Sequence, residues 1–447
     1  MSMTSCEKFL NVIPKSSIAE DDLFSSEAGY AQALVGIYSA MATRPLYGDK
    51  LSMGFLSVMA QNYNSSTLGF IYKESAALNF ESQEVKNISE GIWSTSFNAI
   101  AGLNNIITHI EKDQSMFTGN NYALIKGEAQ GLRAFLHFDL LRLYASNPVL
   151  DPDGKFLPYR TEMNANGKQL ERNQDFIKLV IADLDEADKL LSSVDPILSG
   201  NRDRRFKMNA LAIKAMLARV NLYAGHKAEA KKYAQEVIDS KQLKFVTNEQ
   251  ISRSSNKDRL FSDEQIFTLK VRNMANWIDS GTDAYFKYDA NIAYNRLTRS
   301  RANFQTLYDV SMGGATDYRY VYLIENDGAA VYPSKYWGQQ MVPMLRYSEL
   351  YYILAETAAS AAEGIGYINT VRDHRGLAII NPALATEASL ANEIRKEYQK
   401  EFYAEGQVFF YYKRTNSVDM LFNPKALNQK SYILPIPDSE TEFNNQY

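Results

Sequence analysis

Cysteine is almost absent from this sequence: Cys6 is the single cysteine among 447 residues. One thiol cannot form an intramolecular disulfide or a thiolate metal cluster, so disulfide scaffolds, zinc ribbons and paired redox cysteines are excluded. The four histidines, His109, His137, His226 and His374, are far apart and lack the spacing of a zincin site. We therefore expect packing or helix-surface histidines, no metal ligands and no cofactor.

Long runs of one charge sign and long apolar runs are also missing. The 52 acidic and 48 basic residues are mixed along the chain and give a net charge of -4. No basic stretch suggests nucleic-acid binding. No apolar stretch approaches the length of a membrane-spanning helix. The sequence therefore predicts a body that neither spans a bilayer nor binds nucleic acid.

Motifs of the common enzyme classes are not found either. No nucleophile elbow, phosphate-binding loop or dinucleotide fingerprint follows a predicted strand. The acidic residues Asp183, Asp185, Glu186 and Asp188 crowd one predicted helix, and we interpret them as a solvated helix face. A glycoside hydrolase remains open, because its two carboxylates are brought together by folding and leave no local motif.

Helical periodicity runs through most of the chain. Serine caps precede the helical pattern of EAGYAQALVGIYSAMA, and a long pattern at about 82–112 is joined by a short loop to YALIKGEAQGLRAFLHFDLLRLY. Gly127 and Gly131 in the latter allow close helix approach. Further pairs follow at 171–242 and near the C-terminus, with small residues at tetratricopeptide-like spacing. The sequence predicts a mainly α fold in which tetratricopeptide-like helical hairpins form a scaffold.

The helical pattern is interrupted at about 243–343. There EQIFTLKVR alternates as a short strand and RYVYLIEN suggests another, with connections rich in Gly, Asn, Asp and Ser. Long irregular segments in a compact domain are usually functional or disordered, and this one carries too many aromatic residues for disorder. We predict a loop-rich insertion with a few short β-strands.

Aromatic and amide residues in this insertion suggest a binding surface. Rings offer flat apolar faces, and amides can fix the hydroxyl groups of a neutral polar ligand such as a sugar. The alternative is that these rings pack the insertion onto the helices. The predicted ligand-binding residues are Trp277, Tyr285, Tyr288 and Trp337 of the insertion, and Asn62, Tyr63 and Asn64 of an early loop in which we expect an exposed aromatic among amides.

Several stretches, spread over almost the whole chain, resemble the SusD/RagB family of surface nutrient-binding lipoproteins of Bacteroidetes. They are, in order, SCEKFLNVIPK, AQALVGIYSAM, GLRAFLHFDLLRLYA, ALAIKAMLARVNLYAG, RYSELYYILAE, KEYQKEFYAEGQVFFYYKR and LPIP. Each stretch is weak alone, but their order and coverage make the resemblance specific. It implies helical hairpins that cradle a less regular ligand-binding half.

The resemblance also implies a role for Cys6. Proteins of this family are lipidated on the cysteine that begins the mature chain, which tethers them to the outer membrane facing outward, and several acyl chains anchor far better than one. Only MSMTS precedes Cys6, without the features of a signal peptide, so we expect the sequence to be truncated or to start late. The alternative is an incidental cysteine in a cytoplasmic protein.

The family further implies a function. We expect residues 1–18 to form a lipid-anchor tether and 19–447 a single domain, whose scaffold covers about 82–242 and 344–415. The expected protein is not an enzyme. It captures an oligo- or polysaccharide at the cell surface and passes it to a SusC-like TonB-dependent transporter. The alternative is a helical-repeat adaptor that binds a protein or peptide, for which the insertion's aromatic residues would be buried.

Overall fold

The structure, a computed structural model, describes residues 20–64, 71–163, 169–281, 284–286, 297–327 and 330–443. Cys6 and Tyr288 lie outside these residues. Within them the protein is mainly helical with a few short strands, which confirms the predicted fold class. None of the helices in these ranges combines the length and hydrophobicity needed to cross a bilayer.

The described residues contain eighteen α-helices and seven short strands. The helices are α1 (Glu20–Leu23), α2 (Glu27–Met41), α3 (Phe55–Met59), α4 (Lys73–Ala76), α5 (Gln83–Ile110), α6 (Asn121–Tyr144), α7 (Asn173–Leu191), α8 (Ala210–Tyr223), α9 (Lys227–Asp239), α10 (Asn248–Ser252), α11 (Ala275–Ile278), α12 (Arg301–Leu307), α13 (Tyr318–Leu323), α14 (Tyr347–Glu356), α15 (Ala361–Asp373), α16 (Glu387–Glu401), α17 (Gln407–Arg414) and α18 (Asp438–Phe443). The strands are β1 (Lys155–Leu157), β2 (Glu171–Arg172), β3 (Gln265–Lys270), β4 (Arg299–Ser300), β5 (Ile324–Asp327), β6 (Ala330–Pro333) and β7 (Met341–Arg346).

The longer helices form one continuous stack. From α5 to α9 each helix packs against the next one in sequence, then α9 packs against α14, α14 against α15, and α15 against α16. Close approach depends on glycines of α6: a β-carbon at Gly127 would lie 2.7 Å from Leu191 Cγ, and one at Gly131 would overlap Ile213. The contact between α9 and α14 therefore makes the stack continuous, although these two helices are far apart in sequence.

Within the segment between α9 and α14, a pair of antiparallel strands encloses the residues that follow α10. Strand β3, which the alternation of EQIFTLKVR predicts, pairs with β7, and Gln265 lies opposite Arg346. The predicted strand in RYVYLIEN is only partly correct, because residues 318–323 form helix α13 before β5 begins. Asp317 caps this helix by accepting a hydrogen bond from the Arg319 amide, which favours the helical turn over an extended chain.

The predicted solvated face of α7 is wrong for Asp183. Its carboxylate is buried and accepts hydrogen bonds from Arg133 Nε at 2.7 Å and from Tyr159 Oη at 2.5 Å. Arg133 also donates to Asn104 Oδ1 at 3.0 Å. Through Arg133, Asp183 links α7 to α6 and α5. The amphipathic pattern predicts solvent around Asp183, but an ion pair with a neighbouring helix takes the place of that solvent.

A buried group of charges, here the Glu401 cluster, fastens the irregular segment to the helices. At the end of α16, the carboxylate of Glu401 forms ion pairs with Arg319 at 2.8 Å, Arg346 at 2.9 Å and Arg375 at 2.7 Å. Their further carboxylate partners are Glu264 for Arg375 and Asp317 and Glu397 for Arg319. All these side chains are at most 2% exposed. The start of β3, the end of β7, helix α13, the turn after α15 and helix α16 meet here.

The charges of this cluster compensate one another. Burial alone would raise the pKa of Glu401, but the guanidinium groups of Arg375, Arg346 and Arg319 outweigh that effect and hold its pKa well below the ordinary value. Burial lowers the pKa of Arg319 and Arg375, but the carboxylates paired with them in the cluster outweigh that effect and raise the pKa of both. Glu401 and its arginine partners Arg319 and Arg375 are therefore ionised at neutral pH.

We predict that Glu401→Gln lowers the free energy of unfolding by about 3–5 kcal/mol, because it leaves buried guanidinium groups without their shared carboxylate. Urea-induced unfolding measures the change. Asp419→Asn is the control, since it removes only an exposed partner of Arg395, and its effect should stay below about 1 kcal/mol. Equal effects of the two substitutions would contradict the assigned role.

The stabilisation by Glu401 should also depend on pH. Because its folded pKa lies below the unfolded value of about 4.3, its contribution is complete above that pH and is lost as pH falls through the folded pKa. The stability difference between the native protein and Glu401→Gln should therefore be constant near neutrality and shrink below about pH 4. Unfolding curves at a series of pH values test this, and a difference that is unchanged at low pH would refute it.

Candidate functional site

The predicted aromatic residues converge on the short segment Ala284–Phe286. The Tyr285 amide donates to the Trp277 carbonyl at 2.9 Å, and the indole of Trp337 donates to the Phe286 carbonyl at 2.9 Å. The ring of Tyr63 lies 6.2 Å from that of Phe286. Residues from three distant parts of the sequence therefore meet at one place, while Tyr288 lies outside the described residues.

Trp277, on α11, is half-buried and carries a cation against its ring. Its indole nitrogen donates to the Gly48 carbonyl at 3.1 Å, which fixes the ring orientation. The guanidinium carbon of Arg44 lies 5.5 Å from the ring centroid, within the range of a cation–π contact. The side chain of Arg44 is 48% exposed, so the surface presents an aromatic ring and a cationic donor side by side.

Beneath this pair, the buried carboxylate of Asp49 organises the surrounding polar groups. Asp49 Oδ2 accepts from Arg44 at 2.8 Å, from Tyr285 Oη at 2.8 Å and from Lys50 Nζ at 3.2 Å. Tyr72 Oη accepts from Lys50 Nζ at 2.7 Å and lies 3.3 Å from Asp49 Oδ1. A single buried carboxylate thus holds two cations and two phenols.

The protonation states follow from this arrangement. Burial raises the pKa of Tyr72 and of Tyr285, and the negative charge of Asp49 raises both further. Burial lowers the pKa of Arg44, but Asp49 and the Tyr285 hydroxyl outweigh that effect, and the result is a raised pKa. Both phenols and the guanidinium therefore remain protonated, and the bonds that Arg44 donates to Asp49 and Tyr285 hold it in place at the surface.

Trp337 forms the other side of the same surface. Its ring is half-buried, and the guanidinium carbon of Arg259 lies 5.8 Å from its centroid. The next residue, Gly338, has a φ of +67°, which favours glycine, and its amide donates to Asp279 Oδ2 at 2.8 Å. Because Asp279 directly follows α11, this bond connects the two tryptophans. We call Arg44, Trp277, Asp279 and Trp337 the tryptophan surface.

The remaining predicted ligand-binding residues lie deeper. Tyr63 is 3% exposed and donates to the Met53 carbonyl at 2.8 Å, and Tyr285 is 1% exposed. Asn62 is buried and its side-chain oxygen accepts from the Ala404 amide at 3.1 Å. Asn64 is partly exposed, and its side-chain oxygen accepts from Asn303 at 3.3 Å. Tyr63 and Tyr285 support the surface from below, whereas Asn62 bonds the chain at Ala404. Ligand contact by any of the seven predicted residues remains a prediction.

Arg44, Asp49, Lys50 and Tyr72 were not among the predicted site residues. Their signal in the sequence is weak: RPLYGDK is a polar turn that follows α2, and Tyr72 stands in a separate stretch. Nothing in their spacing indicates that one carboxylate collects them all. Only the polar composition of the loop after a helix, where binding residues are often found, could have suggested them.

Comparison with known proteins gives one consistent result. Residues 8–222 match the family model described as "Starch-binding associating with outer membrane", and residues 268–447 match that of the "SusD family". A SusD-like protein P2 from Formosa agariphila is 23% identical over 97% of this chain and 94% of its own. A SusD superfamily structure from Bacteroides thetaiotaomicron has a TM-score of 0.75 at 20% identity, covering 94% of this chain and 98% of that one. A structure described as a laminarin-binding SusD-like protein has a TM-score of 0.66 at 18% identity, covering 93% and 97%.

We predict that Asp49→Ala destabilises the protein by about 1–3 kcal/mol, because buried phenols lose their acceptor. Thermal unfolding followed by circular dichroism measures the loss. The exposed Asp153→Ala, whose partner Arg172 is also exposed, is the matched control and should leave the melting temperature nearly unchanged. If Asp49→Ala had the same melting temperature as the control variant, Asp49 would not organise this surface.

Proposed function

Because the chain belongs to the SusD/RagB family, we propose that it is a cell-surface glycan-binding protein that captures an oligo- or polysaccharide. The tryptophan surface is the observation that carries this proposal. It combines two half-buried indoles with the exposed guanidinium of Arg44 and the carboxylate of Asp279. Indole faces stack on sugar rings, and the charged groups bond hydroxyls at the ring edges.

The rigidity of this surface suits a weakly binding, flexible ligand. Both indole nitrogens donate to backbone carbonyls, and Asp49 holds Arg44 in place. A site that is ordered before the ligand arrives loses less conformational entropy on binding. The name of the laminarin-binding structural neighbour supports laminarin as the first glycan to test.

We further propose that the protein passes the glycan to a SusC-like TonB-dependent transporter and is tethered outside the cell through an acylated Cys6. Both points rest on the family and not on described residues, since Cys6 lies outside them. In this role the protein performs no chemical step, and a glycan incubated with it stays intact. A tether at the membrane raises the local concentration near the transporter and offsets weak binding.

A peptide is the second candidate ligand, and one observation favours it. The adaptor hypothesis expects buried aromatic residues, and Tyr63 and Tyr285 are indeed buried. The half-exposed indoles and Arg44 still favour the glycan. A peptide library run beside the glycan array separates the two candidates.

We predict that Trp277→Ala and Trp337→Ala each weaken binding of the identified glycan about tenfold, which equals about 1.4 kcal/mol. Each change removes a ring face from the tryptophan surface. Isothermal titration calorimetry measures the dissociation constants. Arg44→Gln should weaken binding less, because it removes the charge and keeps an amide donor.

The control is Tyr367→Ala, a half-buried aromatic residue on α15 that is not part of the tryptophan surface. It should bind the glycan with native affinity. Native affinity in both tryptophan variants would overturn the assignment of the surface, and binding of peptides without binding of any glycan would favour the adaptor. Mass spectrometry of the native membrane fraction tests acylation of Cys6, and co-purification with the transporter tests the partnership.

A further inference from the structure

A cavity of about 450 Å³ lies on the helical stack, apart from the tryptophan surface. Its walls are the middle of α5, the chain from Pro158 to Met163, and Glu440 of α18. This volume falls within the range of about 300–1,000 Å³ that is typical of small-molecule sites. None of the residues of the tryptophan surface contributes to it.

The wall opposite α5 is fastened through its backbone. Asn104 is fully buried and donates to the carbonyls of Arg160 at 3.2 Å and Glu162 at 3.4 Å, while its own oxygen accepts from Arg133 at 3.0 Å. The Arg160 amide donates to His137 Nε2 at 3.0 Å. These bonds hold the main chain of the wall, so the cavity keeps its shape without a ligand.

An aromatic ring of fixed orientation forms part of the lining. Phe97 is half-buried, and its ring lies 4.8 Å from Trp93, which packs edge-on against Tyr144 at 5.0 Å. On its other side Phe97 meets His137 edge-on at 6.5 Å. Contacts with both neighbours fix the ring, and a fixed ring face is a stacking surface for an apolar ligand face.

The polar groups of the lining suit hydroxyls better than charges. The described residues of the lining include one with a guanidinium group, Arg160, two with carboxylates, Glu162 and Glu440, and the exposed amide residue Asn98. Sugar hydroxyls donate and accept, so they match this mixture. Among these residues acidic groups outnumber basic ones, which disfavours uronic acids and sulfated sugars. We propose that this cavity is a second carbohydrate site that binds a short neutral saccharide.

The inference takes its ligand class from the proposed function, but its site is independent. Two sites on one chain allow a polysaccharide to contact the protein twice, and the second contact then becomes intramolecular. A long glycan should therefore bind with a higher affinity than a protein with a single site would show for it. A trisaccharide occupies one site at a time, so its binding stoichiometry gives the number of sites.

The test is calorimetric titration of the full chain with neutral trisaccharides, namely laminaritriose, maltotriose, cellotriose and xylotriose, and with trigalacturonic acid as the anionic probe. We expect two equivalents of a neutral trisaccharide and no binding of the anionic one at the cavity. Phe97→Leu, which keeps apolar packing and removes the ring face, should lose one equivalent or weaken it at least tenfold. Asn98→Ala should weaken the same site, whereas Asn87→Ala, another exposed asparagine of α5, should not.

The outcomes separate this inference from the proposed function. If the native protein binds one equivalent, and this binding is lost in Trp277→Ala but unchanged in Phe97→Leu and Asn98→Ala, the second site alone is overturned. If the single equivalent is instead lost in Phe97→Leu and unchanged in Trp277→Ala, the result supports the cavity and rejects the tryptophan surface. A native protein that binds no saccharide would overturn both. Thermal unfolding of Phe97→Leu within two or three degrees of the native protein shows that a loss of binding is not a loss of fold.

Discussion

The shared carboxylate of Glu401 is the interaction on which the two halves of this protein depend. Three arginines from different parts of the chain end on it, and none of them is exposed to water. Each arginine alone would be costly to bury, so the strands, α13, α15 and α16 are stable only in the arrangement that brings the charges together. The position of the tryptophan surface relative to the helical stack follows from this arrangement.

A second buried carboxylate, Asp49, repeats the principle on a smaller scale. It gathers two cations and two phenols beneath Trp277, and the guanidinium of Arg44 emerges at the surface in a fixed place. The cavity beside α5 follows the same logic with a buried amide, since Asn104 holds the main chain of one wall. In both places a buried polar group fixes the positions of the groups that surround a proposed binding site.

The sequence predicted the helices and the insertion well, because apolar periodicity and serine caps are local signals. Ser26, for example, caps α2 as expected. The sequence could not predict partners that are distant along the chain. Its local pattern indicated a solvated Asp183, whereas the fold pairs Asp183 with Arg133, and it indicated only a polar turn at Arg44 and Asp49. Tyr63 and Tyr285 both lie beside Phe286, but their hydroxyls bond buried acceptors that no spacing reveals. Trp277 and Trp337 remain half-buried, with their indole nitrogens bonded to backbone carbonyls.

The pairing of Gln265 with Arg346 has a consequence for how such proteins diversify. The chain leaves the helical frame and returns to it at neighbouring positions, so everything between the two strands behaves like a cassette. Insertions and exchanges there would alter the tryptophan surface without changing how the frame is built. A graft of this segment, joined at the two strands and keeping the buried arginines, would carry Trp277, Asp279 and Trp337 together, while Arg44 would stay with the recipient's frame.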